Sequence, residues 1–148
     1  MKYFAYGSNM NFEQMRERCP EAKFMKRAHL ENYRFVYDGG CGFWYTCGNI
    51  AAAEGDIVWG GLFDIHKKDL TNLDEYERYK ERLYERQIVL VKDDEGNKTK
   101  AIVYIRPNPV EDIPGEKYQG IVLEGAKDCG LPEDYIQTLD WRKIKELF

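Results

Sequence analysis

Tyr3-Phe4-Ala5-Tyr6-Gly7-Ser8-Asn9 is a short apolar run that breaks into a polar loop opened by glycine. An aromatic-rich run of this kind favours a strand, so the chain starts with a strand that delivers a loop. Gly7 has no Cβ and is free to take φ > 0, which lets its backbone come close to a bound group. Ser8 and Asn9 add side-chain donors and acceptors beside main-chain N–H groups, as an anion- or carboxyl-binding nest requires. Phe12, Met15 and Arg16 follow in helical spacing, so the loop is expected to lead into a helix N-terminus that favours a negative ligand. A tight turn with a good helix cap accounts for the same residues without a ligand.

Further along, Cys19-Pro20 stops this helix, because proline disfavours helix in the residue before it. Lys23 to Tyr37 reads as extended chain broken by a turn near Glu31-Asn32, with Tyr33, Phe35 and Tyr37 alternating. Glycines 39, 40, 42, 48 and 55 then punctuate a region with one strand around Asn49–Ala53 and a stronger one over Ile57–Ile65. The Gly60-Gly61 pair in the latter marks a bulge or a close backbone approach. A helix over Lys67–Tyr79 precedes two long strands, Leu83–Lys92 and Thr99–Arg106, joined by the hairpin turn Asp93-Asp94-Glu95-Gly96-Asn97. Pro107, Pro109 and Pro114 stiffen an extended link. A helix from Gly115 carries Tyr118, Ile121, Val122, Gly125 and Cys129 on one stripe and stops at Gly130. Pro132 opens a final helix with Tyr135, Leu139, Ile144 and Leu147. Strands in the middle and helices early, midway and late give an α+β class with a small curled β-barrel preferred, in one domain over the 148 residues.

A net charge of −4 leaves no basic surplus to neutralise a phosphate backbone, so no nucleic-acid partner is expected. The start of the chain lacks a signal peptide's apolar core, and no apolar stretch approaches the ~18 residues of a membrane span, which predicts a cytoplasmic protein with no membrane partner. The 11 Tyr, 7 Phe and 3 Trp suit a strand-rich core and a lined pocket. Cys19, Cys41, Cys47 and Cys129 form no CxxC pair, and His29 and His66 do not complete a zinc spacing, so no metal is expected. The four thiols are expected to be reduced, with a disulfide left open by their even number. Trp59 reads as core, His29 as a strand residue and His66 as the start of a helix.

On the Lys67–Tyr79 helix, Leu70 and Leu73 define the inward face and Glu77 projects between their directions, whereas Glu75 and Tyr79 lie away from that stripe. A carboxylate aimed at the core is costly to ionise, and the resulting rise in pKa suits a group that takes and gives a proton near neutrality. The alternative is that Glu77 ends the helix at a solvated edge, paired with Arg78, Arg82 or Arg86.

These segments together resemble a known family. Tyr3-Phe4-Ala5-Tyr6-Gly7-Ser8-Asn9-Met10 is similar to the YGSN signature of the γ-glutamylcyclotransferase-like family, and Leu73-Asp74-Glu75-Tyr76-Glu77 to its LDxxE motif. Ile57-Val58-Trp59-Gly60 resembles the family's VWG strand, and Tyr118, Gly125-Ala126-Lys127 and Gly130-Leu131-Pro132 its closing helices. The motifs fall in family order along nearly the whole chain. The resemblance implies a small barrel with flanking helices that converts a γ-glutamyl amino acid or peptide to 5-oxoproline, by attack of the α-amino group on its own γ-carbonyl. It implies Glu77 as the catalytic base and acid and Tyr3, Phe4, Ala5, Tyr6, Gly7, Ser8, Asn9 and Tyr118 as substrate-binding residues, with no cofactor and a small γ-glutamyl substrate as the partner. Tyr118 reads equally as a helix-core tyrosine, and Tyr84 carries a weaker signal. A homodimer is compatible with the sequence.

Two departures stand out: many family members have glycine after the glutamate and proline two positions later, where this chain has Arg78 and Lys80. Positive charge at Arg78 favours an anionic distal group on the substrate. The other readings are a γ-glutamylamine cyclotransferase, removal of a γ-glutamyl protecting group from a biosynthetic intermediate, and a binding module without chemistry. Retention of Glu77 argues against the last, since a binder of an anionic glutamyl unit gains nothing from an inward negative charge.

Overall fold

The alternation of apolar and polar residues in the middle of the chain produces strands longer than the turn signals suggest. The computed structural model describes residues 1–41, 46–78, 80 and 83–146, apart from the side chain of residue 144. Its strands are β1 (Lys2–Ala5), β2 (Lys23–Asp38), β3 (Cys47–Asp64), β4 (Glu85–Lys92) and β5 (Lys98–Ile105). They form a closed barrel in the order β1-β3-β2-β4-β5, antiparallel except where β1 meets β5 in parallel at Tyr3 and Ile102. Helices α1 (Phe12–Arg18), α2 (Lys67–Tyr76), α3 (Glu116–Asp128), α4 (Glu133–Leu139) and α5 (Trp141–Lys145) flank it. Among the described residues no helix is long and apolar enough to cross a membrane.

Side chains of all five strands fill the barrel, including Phe4 from β1, Leu30 from β2, Val58 and Leu62 from β3, Val91 from β4 and Val103 from β5. The neighbouring residues in β1, Tyr3 and Ala5, point the other way, into a second core shared with Met10, Met15, Leu73, Val122 and Leu139 of the helical layer. The buried residues of β1 thus alternate between the two cores.

The paired glycines of β3 mark close approach. A Cβ on Gly60 would fall 2.3 Å from the Ala5 carbonyl oxygen and 2.8 Å from the Phe4 ring, and one on Gly61 would fall 2.6 Å from Cys129 Sγ. The turn expected at Glu31-Asn32 is instead a bulge within β2. Register shifts there between Glu31 and Tyr33, with Asn32 at φ 66° and its Oδ1 accepting the Gly55 N–H at 3.0 Å. Asparagine tolerates that left-handed conformation, so the strand continues. The two strands expected over 49–65 are likewise one, because each pairs along its length with β2.

The helix expected over Lys67–Tyr79 ends at Tyr76. Glu77 caps it, and Arg78 turns left-handed at φ 53°; Tyr79 lies outside the described residues. His66 starts this helix, in a reciprocal cap with Asp69. The final helix divides in two at Asp140, whose carboxylate accepts the Arg142 N–H at 3.1 Å while Gln119 Oε1 takes the Trp141 N–H at 2.6 Å. Leu147 is outside the described residues. The reduced-thiol expectation is corrected at one pair: Cys41 and Cys47 form a disulfide, because Cys47 pairs in register with Asp38 and the short turn Gly39–Cys41 that follows Asp38 keeps Cys41 beside it. Cys19 and Cys129 are free and buried.

The close approach at Gly60 generates a stability test. Gly60→Ala is expected to destabilise the protein by about 1–3 kcal/mol, the usual range for overpacking. Gly120→Ala, at an exposed position of α3 with nothing within 4 Å of the added Cβ, is expected to stabilise it by about 0.5–1 kcal/mol. Urea denaturation midpoints of the two variants provide the comparison.

Candidate active site

β1 ends in the loop that begins at Gly7, and α2 ends at Glu77, and the fold brings these two chain ends to one cavity of about 310 Å³. Tyr3, Tyr6, Gly7, Ser8, Asn9, Glu77 and Tyr118 all line it. Phe4 and Ala5 do not. Phe4 is fully buried inside the barrel and Ala5 lies in the helical-layer core, so the side chains of these two expected binding residues do not face the cavity. Strand alternation turns Phe4 away from Tyr3 into the barrel, while Ala5, on the same face as Tyr3, packs into the helical-layer core.

Glu77 is positioned from both sides. Its N–H donates to the Leu73 carbonyl at 2.8 Å, and Leu73 is fully buried. One turn earlier, Asp74 accepts the Tyr104 hydroxyl at 2.6 Å and lies 3.5 Å from Arg86 Nε, which ties the end of α2 to β4 and β5. Arg86, one of the alternative partners of Glu77, is therefore paired with Asp74; Arg82 lies outside the described residues. Burial pushes the Glu77 carboxyl up to about 7, with the Arg18 guanidinium pulling it partly back. The hydroxyls of Tyr3, Tyr6, Tyr84, Tyr104 and Tyr118 are raised too, by burial foremost and in each case also by the Glu77 charge, which places them all within its field.

The glycine loop differs in detail from expectation. Gly7 has φ −121°, so it is not left-handed; a Cβ there would sit 3.6 Å from the Tyr118 hydroxyl, and its absence leaves that space open. Ser8–Met10 form a 3-10 turn, after which Asn11 caps α1 by accepting the Gln14 N–H at 3.0 Å. The Phe12 N–H is taken by Asp128 Oδ2 at 3.0 Å, so the N-terminus of α1 is occupied internally and does not serve the cavity. What remains for a ligand are the N–H groups of Ser8 and Asn9, which have no acceptor among the described residues.

Several lining residues escaped the sequence reading. Gln14 Nε2 donates to Ser8 Oγ at 2.8 Å and to Asn9 Oδ1 at 3.0 Å, and Asn9 Nδ2 donates to the Tyr3 hydroxyl at 3.0 Å. Arg18 lies one turn beyond Gln14 on the same helix face and also donates to Asn9 Oδ1, at 3.1 Å; that spacing was the available signal. On the far wall, Gly48 donates its N–H to the Tyr118 hydroxyl and accepts the Tyr84 hydroxyl, both at 2.7 Å. Gly48 is anchored by its neighbour Asn49, fully buried, which donates to Asp38 Oδ2 at 2.9 Å and to the Arg106 carbonyl at 2.7 Å. Asp38 is ion-paired with Arg106 at 2.6 Å; burial works against its ionisation, but Arg106 and the N–H groups of Gly40 and Val110 hold its carboxyl below the usual range.

The chain matches the AIG2-like family over residues 57–139. It is 34% identical to the human γ-glutamylcyclotransferase and 32% identical to the bovine one, covering 93% of this chain and 76% of each relative. Among solved structures, a γ-glutamyl cyclotransferase superimposes with a TM-score of 0.88 at 31% identity, covering 94% of this chain and 85% of that one. YkqA from Bacillus subtilis, at 21% identity and a TM-score of 0.82 over 97% of this chain and 54% of its own, shares the fold. With the loop after β1 and the glutamate at the end of α2 meeting in one cavity of a five-stranded barrel, and with relatives this similar over nearly its full length, the chain belongs to the γ-glutamylcyclotransferase family.

Proposed function

We propose that the protein is a γ-glutamylcyclotransferase, converting a γ-glutamyl amino acid or peptide to 5-oxoproline and a free amine. The observation that carries this reading is a carboxyl pushed to about 7 in the same cavity as two main-chain N–H donors that have no acceptor among the described residues. A group of that pKa is populated in both protonation states at neutral pH, as a single residue serving as base and then acid must be.

In the mechanism, the Ser8 and Asn9 N–H groups hold the donor's α-carboxylate, with Tyr118 and Tyr6 closing over the glutamyl chain. Holding that end favours the folded-back conformer in which the α-nitrogen reaches the γ-carbon. Glu77 removes a proton from the α-ammonium, and the freed nitrogen lone pair forms the C–N bond to the γ-carbon while the carbonyl electrons move to oxygen. The carbonyl then reforms, the bond to the leaving nitrogen breaks, and Glu77 gives that nitrogen its proton. The second proton on the attacking nitrogen is lost to solvent as the lactam forms, and the released amine takes one up. The fixed hydroxyls around the cavity keep the charge on Glu77 out of water, which maintains the proton affinity both transfers need.

Two outcomes follow for Glu77. Glu77→Gln is expected to retain folding and donor binding and to lower kcat for 5-oxoproline release by about 10² or more; wild-type turnover by this variant removes the acid–base assignment. The base must be ionised to begin the reaction, so kcat/KM of the wild type is expected to rise with pH through about 7 and to level above it. A rising limb near the ordinary carboxylate range contradicts the burial argument.

A further inference from the structure

Arg18 ends α1 at the outer side of the cavity, and three contacts fix it in place. Its carbonyl oxygen accepts Asn72 Nδ2 at 3.0 Å, its Nη1 donates to Asn9 Oδ1 at 3.1 Å, and its guanidinium carbon lies 4.3 Å from the centre of the Tyr76 ring. Among the described residues no carboxylate lies within ion-pair distance, and only one of its N–H donors is used. A guanidinium held in this way presents a planar fork that matches a carboxylate. Arg78, the cation expected from the sequence to read a distal anion, is exposed and already engaged.

The position of Arg18 indicates which carboxylate it meets. Among the described residues Arg18 reaches the glycine loop only through the Asn9 side chain; Tyr6 and Gly48 in the cavity wall are buried, whereas Tyr76 against Arg18 is 53% exposed. The glutamyl unit common to every donor takes the closed end, and the leaving group extends toward the open one. Beyond Arg18 and Tyr76 the surface continues into a depression lined by Glu17, Glu21, Glu75, Lys68 and the buried Asp69, whose carboxylate accepts the His66 N–H. Its three exposed carboxylates outnumber Lys68, so the depression disfavours an anion that extends further, and the attractive position for a distal carboxylate is at Arg18 itself.

We propose that Arg18 binds the carboxylate of the leaving group, making it the residue that selects donors releasing an amino acid over donors releasing a neutral amine. This rests on the cyclotransferase reading of the cavity. Arg18 is a specificity residue: it acts on the half of the donor that departs, and the bond-making half is held elsewhere.

The test compares γ-glutamylalanine with γ-glutamylalaninamide, which differ only in that distal carboxylate. Wild-type protein is expected to prefer the acid, and Arg18→Gln to reduce the ratio of the two kcat/KM values by about tenfold or more, chiefly through KM, with Arg18→Lys restoring part of it. Equal turnover of the two donors by the wild type overturns the inference without any variant, and so does a loss in Arg18→Gln that is the same for both. If the wild type releases 5-oxoproline from neither donor, the cyclotransferase reading fails. Calorimetric binding of the same two compounds to Glu77→Gln protein then decides the role of Arg18 separately: tighter binding of the acid supports it, and equal binding overturns it.

Discussion

Six tyrosines and one glutamate face each other across the cavity, and the cost of holding the Glu77 carboxyl among them is the constraint on which the rest of the site depends. A carboxylate taken from water without a countercharge keeps its proton to higher pH, and here the Arg18 guanidinium only partly offsets that effect. The tyrosines maintain the enclosure because their hydroxyls have partners of their own: Tyr6 donates to the Tyr104 carbonyl, Tyr104 to Asp74, Tyr84 to the Gly48 carbonyl. A ring of satisfied hydroxyls keeps its shape, so the cavity is formed before a ligand arrives.

That wall is built from distant parts of the chain. Gly48 pins two tyrosines with its own main chain, and a Cβ there would fall 3.0 Å from Phe35 and 3.2 Å from the Tyr118 hydroxyl. Its backbone is fixed by the neighbouring Asn49, which joins the Asp38–Arg106 ion pair at the end of the barrel. Removing one partner of so buried a pair leaves an uncompensated charge. Barrel stability and cavity shape are therefore coupled through the same few polar atoms, although none of Asp38, Asn49 or Arg106 lines the cavity.

What the sequence disclosed follows from the range of the interactions. The loop at Gly7-Ser8 and the inward glutamate were legible because each is written in local spacing, a strand breaking at glycine and a helical period. The contiguous motif does not make a contiguous lining: strand alternation sends the Phe4 and Ala5 side chains into two cores. Asn32 has the composition of a turn, but cross-strand pairing with β3 outweighs it. Arg106 and Asp38 are 68 residues apart and Tyr104 and Asp74 30 apart, so no local pattern announces either contact. Arg78 is left-handed at φ 53°, a conformation that suits the glycine which the family resemblance leads one to expect there.

The central claim is that Glu77 exchanges its proton near neutrality because the fold removes its carboxyl from water. Its most direct test is a carbon-13 NMR titration of the glutamate side-chain carboxyls in wild-type and Glu77→Gln protein. The account predicts one glutamate that titrates near 7 in the wild type and is missing in the variant. If every glutamate carboxyl, Glu77 included, titrates in the ordinary range of about 4–5, the account is contradicted.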